Sequence, residues 1–212
     1  LKIINDLLLR KSSSFQTFMI PSSAEKINKD IFGTYIHNII ISPNNHNFKW
    51  IDDCLIVGKS DQNIDDYDVI VYAHPDIEII TIKSNIKTIK SYCFSRCYKL
   101  QNVLIESESK LKTIGKYSFA STRIQSIVIP QHVTKIDEYA FSNCSQLQSV
   151  TFSSNSELQL IGQYAFQSTS IEAIIIPQHV KTISDYAFSN YKKLESIEFS
   201  DNSELQLIGK CA

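Results

Sequence analysis

Short runs in which apolar and polar residues alternate recur along this chain. The typical run has the form Leu-x-x-Ile-x-Ile, in which the last apolar positions are separated by another residue. Successive side chains of a β-strand point to opposite faces, so this pattern predicts a short strand with one buried face. The runs begin at Ile77, Leu100, Ile124, Leu147, Ile171 and Leu194. One short strand is therefore predicted in each of a series of similar units.

Comparison of the chain with itself gives the length of these units. Residues 124–165 match residues 171–212 at 26 of 42 positions, at a shift of 47 residues. A recurring aromatic residue divides this period into steps of 25 and 22 residues, at Phe94, Phe119, Phe141, Phe166 and Phe188. A unit of this size cannot bury its apolar side alone, whereas stacked units share a continuous core. The pattern therefore predicts a solenoid with the aromatic residues in its core.

The recurring aromatic residue lies in a segment of the type Tyr-Ala-Phe-Ser-Asn, where we expect a single helical turn. Its Ala and Phe would face inward, and its short polar residues would satisfy backbone groups at the end of the turn. Gly115, Gly162 and Gly209 each follow an isoleucine, where we expect the backbone to turn tightly. These features together predict an α/β repeat solenoid with one short parallel strand per 22–25-residue unit.

The unit resembles the BspA-like leucine-rich repeats, also called the treponeme type. The pattern is Leu-x-x-Ile-x-Ile-Pro-x-x-Val-x-x-Ile-x-x-x-Ala-Phe-x-x-Cys. The residues that match it are Ile127, Ile129, Pro130, Val133, Ile136, Ala140, Phe141 and Cys144. A second copy runs from Ile174 to Phe188, with Tyr191 in place of the cysteine. The resemblance implies a leucine-rich-repeat arc. Members of this family are mostly surface-exposed and are associated with adhesion to host or matrix proteins.

Weaker copies of the pattern reach upstream, where Ile27 and Phe32 occupy the positions of the isoleucine and the aromatic residue. The intervening sequence NNHNFKWIDDCLIV resembles the element that interrupts these arrays with extra strands. Phe48 and Trp50 are expected to cover the core of that element, and an exposed aromatic contact is the alternative. We expect degenerate repeats over 1–43, an inserted β element over 44–76, and regular repeats over 77–212, truncated mid-repeat.

The composition excludes two classes of function and leaves the redox compartment open. The formal net charge of −1 argues against general nucleic-acid binding, which requires a basic face. No apolar run is long enough to span a bilayer. Five cysteines are an odd number and too sparse for a disulfide scaffold, so we expect free thiols. Cys97 and Cys144 are two units apart, about 10 Å along the stack, which exceeds the roughly 7 Å Cα limit for a disulfide.

Two motifs suggest metal binding, and neither is complete. His132 and His179 occupy equivalent positions two units apart, roughly 10 Å along the stack, and so cannot share one zinc ion. The sequence from Asp61 begins like a calcium loop, but Asp66 stands where such a loop needs Gly and Tyr72 where it needs Glu. A solvated acidic turn accounts for the same residues, and it is the interpretation that the incomplete motif favours. We also find no Cys or Ser triad, and therefore expect no enzyme, cofactor, metal or small-molecule substrate.

One glycosylation sequon is present, Asn143-Cys144-Ser145. We expect Asn143 to cap the helical turn, which makes its occupancy doubtful.

The outward residues of the parallel strands are expected to line the concave face of the arc and to bind a partner. These candidates are Asn102, Leu104, Ser126, Val128, Ser149, Thr151, Ala173, Ile175, Ser196 and Glu198. Adjacent exposed aliphatic residues suggest a contact surface. The alternative is that β-branched residues simply favour strands.

The sequence therefore predicts a non-catalytic module that presents its repeats to a host, matrix or cell-surface protein, at the cell surface or outside the cell. An intracellular scaffold for protein–protein interaction in the cytoplasm is the alternative, which the unpaired cysteines favour.

Overall fold

The chain is described by a computed structural model that covers residues 2–4, 17–27, 38–191 and 193–212. The upstream aromatic position Phe32 and the residue His37 lie outside these ranges. The strands of the described residues are β1 Ile3–Ile4, β2 Thr17–Ile20, β3 Lys26–Ile27, β4 Asn38–Ile41, β5 Phe48–Ile51, β6 Leu55–Gly58, β7 Val69–Ala73, β8 Ile79–Ile82, β9 Thr88–Ile89, β10 Asn102–Ile105, β11 Thr113–Ile114, β12 Ser126–Ile129, β13 Lys135–Ile136, β14 Ser149–Phe152, β15 Leu160–Ile161, β16 Ala173–Ile176, β17 Thr182–Ile183, β18 Ser196–Phe199 and β19 Leu207–Ile208.

Each regular unit contributes one four-residue strand and one two-residue strand, and the two kinds of strand pair in separate sheets. The four-residue strands form from the Leu-x-x-Ile-x-Ile runs, and they hydrogen-bond in parallel pairs: β8 with β10, β12 with β14, and β16 with β18. The two-residue strands β9, β11, β13, β15, β17 and β19 follow one another without interruption in a single parallel sheet. The parallel pairing is as predicted, but each unit has two strands and not the one that the sequence predicted.

The predicted helical turn is wrong, because the described residues contain no helix. Tyr139 and Asn143 have left-handed backbones, with φ of 56° and 59°. Tyr139, Phe141 and Asn143 each donate their amide to a carbonyl oxygen of the following unit. The intervening amides of Ala140 and Ser142 donate to carbonyl oxygens three residues earlier. Hydrogen bonds between stacked units thus replace the i to i−4 bonds of a helix. The fold is a β-solenoid and not an α/β solenoid, and Asn143 caps no helix.

The recurring glycines are required by stacking and not by a tight turn. None of the glycines in the described ranges has a positive φ. A Cβ on Gly115 would lie 2.7 Å from the carbonyl oxygen of Ile89, in the preceding unit. A Cβ on Gly162 would lie 2.7 Å from the amide nitrogen of Glu138. The prediction placed these glycines correctly but gave the wrong physical reason.

The aromatic positions form the centre of the core, as predicted. Neighbouring phenylalanine rings stack with centroids 4.9–5.6 Å apart and planes within 9° of parallel. Phe94, Phe119, Phe141 and Phe166 are fully buried. Cys97 and Cys144 are also buried in this core, at the small-residue position of the unit. Because each ring contacts the next, the core is continuous along the regular array.

An antiparallel meander of β5, β6 and β7 lies within residues 44–76 and continues the sheet of two-residue strands, because β7 pairs in parallel with β9. Strands β6 and β7 are buried on both faces. Val57 and Ile70 pack into the core of the regular units, whereas Ile56 and Val71 pack into a second core shared with the upstream strands. The meander therefore separates two hydrophobic cores and contributes side chains to both.

Two aromatic residues attach the meander to the upstream strands. Phe48 is buried in the second core, as predicted. Trp50 is half-buried against the same core, and its Nε1 donates to the carbonyl oxygen of Ile39 at 3.2 Å. Asn45 is buried and bridges the two parts, since its Nδ2 donates to the carbonyl oxygen of Pro21 and its Oδ1 accepts from the Phe48 amide. The described residues contain no helix of the length and hydropathy needed to cross a membrane.

Candidate protein-binding face

The ten candidate residues are the first and third residues of the four-residue strands, and we call the surface they form the strand face. The strand register aligns them in two rows. The row of third residues, called the Leu104 row, consists of Thr81, Leu104, Val128, Thr151, Ile175 and Glu198. The row of first residues, called the Asn102 row, consists of Ile79, Asn102, Ser126, Ser149, Ala173 and Ser196.

The strand face points outward. Nine of the ten candidates are exposed, and Ser196 is half-buried. Leu104, Val128 and Ile175 have 57%, 59% and 58% of their surface accessible. The residues that precede them in the strands, such as Val103 and Ile127, are buried. The alternation predicted from the sequence therefore holds in the structure, and three aliphatic side chains extend into solvent.

Three exposed aliphatic residues of the same kind were missed. Ile79 is 60% exposed at the start of the Asn102 row. Met19 and Ile40 face one another across β2 and β4 and are 58% and 40% exposed. The sequence indicates the exposure of Met19, because Met19 is the fifth residue of the run FQTFMI, as Val128 is the fifth residue of IQSIVI. Ile79 is likewise the third residue of the run that begins at Ile77, which is the place that Ser126 has in its own run.

The strand face is interrupted after every second strand. Between β10 and β12, the Arg123 amide donates to the carbonyl oxygen of Leu100, and the Gln125 amide donates to that of Gln101. No backbone pairing in the described residues joins these two strands beyond that point. The two-residue strands from β9 to β19, in contrast, pair continuously, so the gaps occur on the strand face. That the strand face is concave stays a prediction.

Charged groups are concentrated at the two ends of the strand face. In its middle, the residue before each strand is uncharged, at Gln101, Gln125 and Gln148. At the carboxyl-terminal end the equivalent residues are Glu172 and Glu195, which lie side by side because Ala173 pairs with Ser196. None of the ion pairs of the described residues includes either carboxylate. The aliphatic side chains of Leu104 and Val128 thus lie in an uncharged field.

At the amino-terminal end, one carboxylate is held in place. Glu106 accepts the Ser84 amide at 2.8 Å and pairs with the Lys83 ammonium at 3.0 Å. The backbone hydrogen bond from Ser84 and the Lys83 ammonium hold the pKa of Glu106 below its usual value. This carboxylate links two strands and is already satisfied within the chain.

The two equivalent histidines each pair with a carboxylate of the next unit. His132 Nδ1 lies 2.9 Å from Glu157 Oε1, and His179 Nδ1 lies 2.9 Å from Glu204 Oε1. The histidines are not brought together, as the spacing predicted. Their glutamate partners were missed, although both recur with the 47-residue period. Within the ranges that the structure covers, no group of three or more His, Cys, Asp or Glu could hold a metal ion.

The acidic turn that resembles a calcium loop is attached to the regular units by hydrogen bonds and an ion pair. Asp61 Oδ1 accepts the Asn63 amide at 2.9 Å, which closes the turn locally. The sequence did not single out Asp68, whose buried carboxylate accepts from the Ser60 hydroxyl at 2.7 Å and from Lys87 Nζ at 3.0 Å. Burial raises the pKa of Asp68, but the hydrogen bonds from Ser60 and Lys87 outweigh it and hold the pKa below its usual value. The turn is thus tied to the regular array.

The five cysteines are free thiols, and Cys93, Cys97 and Cys144 are buried. Burial raises the pKa of Cys97 to about 12 and that of Cys144 to about 11. Cys144 Sγ donates to the carbonyl oxygen of Phe119 at 3.1 Å. Because the thiolate is the reactive form, these buried thiols are inert at neutral pH.

Comparison with known proteins gives a match of family and of fold. A family model described as a BspA type leucine-rich repeat region, in six copies, matches residues 62–195, more than half of the chain. No curated protein matches.

Three solved structures are similar to this chain. A leucine-rich repeat protein from Eubacterium ventriosum has a TM-score of 0.72 at 19% identity, over 92% of this chain and 57% of that one. A leucine-rich repeat protein from Bacteroides ovatus has a TM-score of 0.58 at 18% identity, over 98% of this chain and 60% of that one. The pneumococcal vaccine antigen PcpA has a TM-score of 0.55 at 21% identity, over 94% of this chain and 44% of that one. The chain therefore spans less than two thirds of each, and the likeness is one of fold.

Proposed function

This chain belongs to the BspA-type leucine-rich repeat family, and we propose that it is a non-catalytic module that binds a protein through its strand face. The supporting observation is the exposure of Leu104, Val128 and Ile175, each more than half accessible, of which Leu104 and Val128 lie on strands that are preceded by uncharged residues. Neighbouring exposed aliphatic side chains are typical of surfaces that a partner covers. A buried apolar centre with a polar rim is also the usual anatomy of a protein interface.

We further propose that the module acts at the cell surface or outside the cell, on a host, matrix or cell-surface protein. Support for this location comes from the family and from one structural neighbour, which is described as a pneumococcal vaccine antigen. An intracellular scaffold that uses the same strand face is the second candidate. The five free thiols favour it, because reduced cysteines are the rule inside cells.

The strand face is tested by adding charge at its centre. The variant Val128→Arg/Ile175→Arg places two guanidinium groups in the Leu104 row, where both side chains point away from the core. If this surface is the interface centre, we expect capture of the partner to fall by more than about tenfold, because a hot spot contributes about 2 kcal/mol or more. The assay is a pull-down from host-cell extract and from matrix proteins, with circular dichroism to verify folding.

The matched control is Asn155→Arg/Gln159→Arg. It adds the same charge at two exposed positions on a connecting segment, and neither position has a positive φ. Capture that is lost only in the strand-face variant supports the proposal. Equal capture by both variants would exclude the strand face and direct attention to the surface around Trp50. A wild-type chain that captures nothing specific would count against adhesion.

A further inference from the structure

A second ordered row of side chains runs along the regular units, on the segments predicted to be helical turns. It consists of tyrosine rings, and we call it the tyrosine column. Neighbouring rings have centroids 4.5–5.0 Å apart and planes within 18° of parallel. Its members are Tyr92, Tyr117, Tyr139, Tyr164 and Tyr186. All five are half-buried, so that each ring packs on its neighbours and keeps an edge in solvent.

The backbone holds these rings in register. Every member of the column has a left-handed backbone, with φ between 54° and 65°. The amide of each donates to a carbonyl oxygen of the next unit, as from Tyr117 to Glu138 at 3.0 Å. A left-handed tyrosine is strained, and such strain persists only where the surroundings fix the conformation. These hydrogen bonds hold the backbones of neighbouring tyrosines in register, so that the rings lie on one side of the array.

The closest pair is Tyr117 and Tyr139, with ring centroids 4.5 Å apart and planes 6° from parallel. The short separation and the nearly parallel planes hold the two rings face to face in contact. Phenoxyl radicals couple at the carbons beside the phenol oxygen, and two such radicals held in contact react as an intramolecular pair.

We propose that the tyrosine column is a site of oxidative cross-linking, at which one-electron oxidants generated by a peroxidase and hydrogen peroxide join Tyr117 to Tyr139. Each phenol loses one electron and one proton and becomes a phenoxyl radical. The two radicals form one carbon–carbon bond, and both rings regain aromaticity as the ring hydrogens move to the oxygens. One molecule of hydrogen peroxide accepts the two electrons and two protons and yields two molecules of water.

Two features of the column favour this reaction over damage elsewhere. The rings form an unbroken series, so that an electron can pass between neighbours and a radical formed at either end reaches the closest pair. Of the thiols that compete for oxidants, Cys93, Cys97 and Cys144 are buried and protonated, and the exposed Cys211 lies at the carboxyl-terminal end of the array, several units from Tyr117 and Tyr139. The cross-link would join consecutive units in a chain whose cysteines form no disulfide. It would restrict the unfolded chain as a disulfide does.

The test treats the folded chain with peroxidase and hydrogen peroxide, isolates the monomer, and measures dityrosine fluorescence and intact mass. We expect the monomer to lose the mass of two hydrogen atoms and to melt at a higher temperature. Trypsin cleaves after Lys116, Arg123 and Lys135, so the linked product should join peptide 117–123 to peptide 136–181. The same treatment in urea should give several-fold less of this product, because unfolding separates the rings.

Two variants separate the column from tyrosine in general. Tyr139→Phe keeps the stacked ring but removes the oxidisable phenol, and should abolish the link between the two peptides. Tyr98→Phe removes an exposed tyrosine outside the column, 56% accessible, and should leave that link unchanged while reducing links between molecules. Cross-links found only between molecules, or equal yields in native and unfolded protein, would overturn the proposal.

Discussion

The stacked phenylalanine rings provide a direct measure of how strongly the units depend on one another. Phe141 is fully buried between Phe119 and Phe166, with ring centroids 5.2 Å and 5.3 Å away. Phe141→Ala removes a whole ring and leaves a cavity that its two neighbours cannot fill, because both are held by their own units. We expect a loss of about 3–5 kcal/mol in the free energy of unfolding, as is usual for buried phenylalanine.

The assay is equilibrium unfolding in urea, followed by far-ultraviolet circular dichroism. With an m-value of about 2–3 kcal/mol/M, the expected loss corresponds to a midpoint lower by about 1–2.5 M. Phe199→Ala is the matched control, because the same side chain is 42% exposed there. Its cost should be about half or less, since hydrophobic stabilisation scales with the area removed from water. A midpoint unchanged by Phe141→Ala, or equal costs at both positions, would refute the assignment of this ring to the core.

Two further predictions concern pH and thiols. Asp68 has a lowered pKa in the folded chain, so its stabilising contribution is present above the ordinary aspartate value of 3.8 and is lost as the pH falls below it. Asp68→Asn should therefore destabilise the chain by about 1–3 kcal/mol at pH 7. It should also reduce the fall of the urea midpoint with decreasing pH. An unchanged pH dependence would show that Asp68 does not contribute to acid destabilisation. In thiol counting without reductant, exposed Cys211 should react in the folded chain, and buried Cys144 should react only after unfolding. The unfolded chain should yield five thiols. A count of three thiols or fewer would contradict the assignment of free cysteines.

The regular features of this fold were predictable because they depend on spacing. A 47-residue period fixes which residues repeat, and strand alternation fixes which of them face inward. For this reason the burial of Phe141 and the exposure of Val128 both followed from the sequence. The same alternation extends to the upstream copies, where it places Met19 and Ile40 on the outward side of their strands.

The helical turn failed because the competing interaction is not local. A segment such as Tyr-Ala-Phe-Ser-Asn has acceptable helix propensity, and nothing in it indicates that a stacked neighbour offers carbonyl oxygens to alternate amides. Tyr139 illustrates the difficulty, since tyrosine is rare with a positive φ and would not be assigned one from sequence. The attachment made by Asp68 was equally hidden, because its partners Ser60 and Lys87 lie 8 and 19 residues away.

The two explanations of the strand face make different demands on residue type. Strand propensity alone favours β-branched residues, and so accounts for Val128, Ile175 and Ile79 without any partner. It does not account for Leu104 and Met19, which are unbranched at Cβ and are 57% and 58% exposed at the same position of their strands. An outward position that selected only for strand formation would be filled as well by threonine, which stands there in two other strands, at Thr81 and Thr151. The apolar side chains that are not branched at Cβ therefore favour contact with a partner. Leu104→Thr separates the two explanations, because it should weaken capture of a protein while leaving the urea midpoint nearly unchanged.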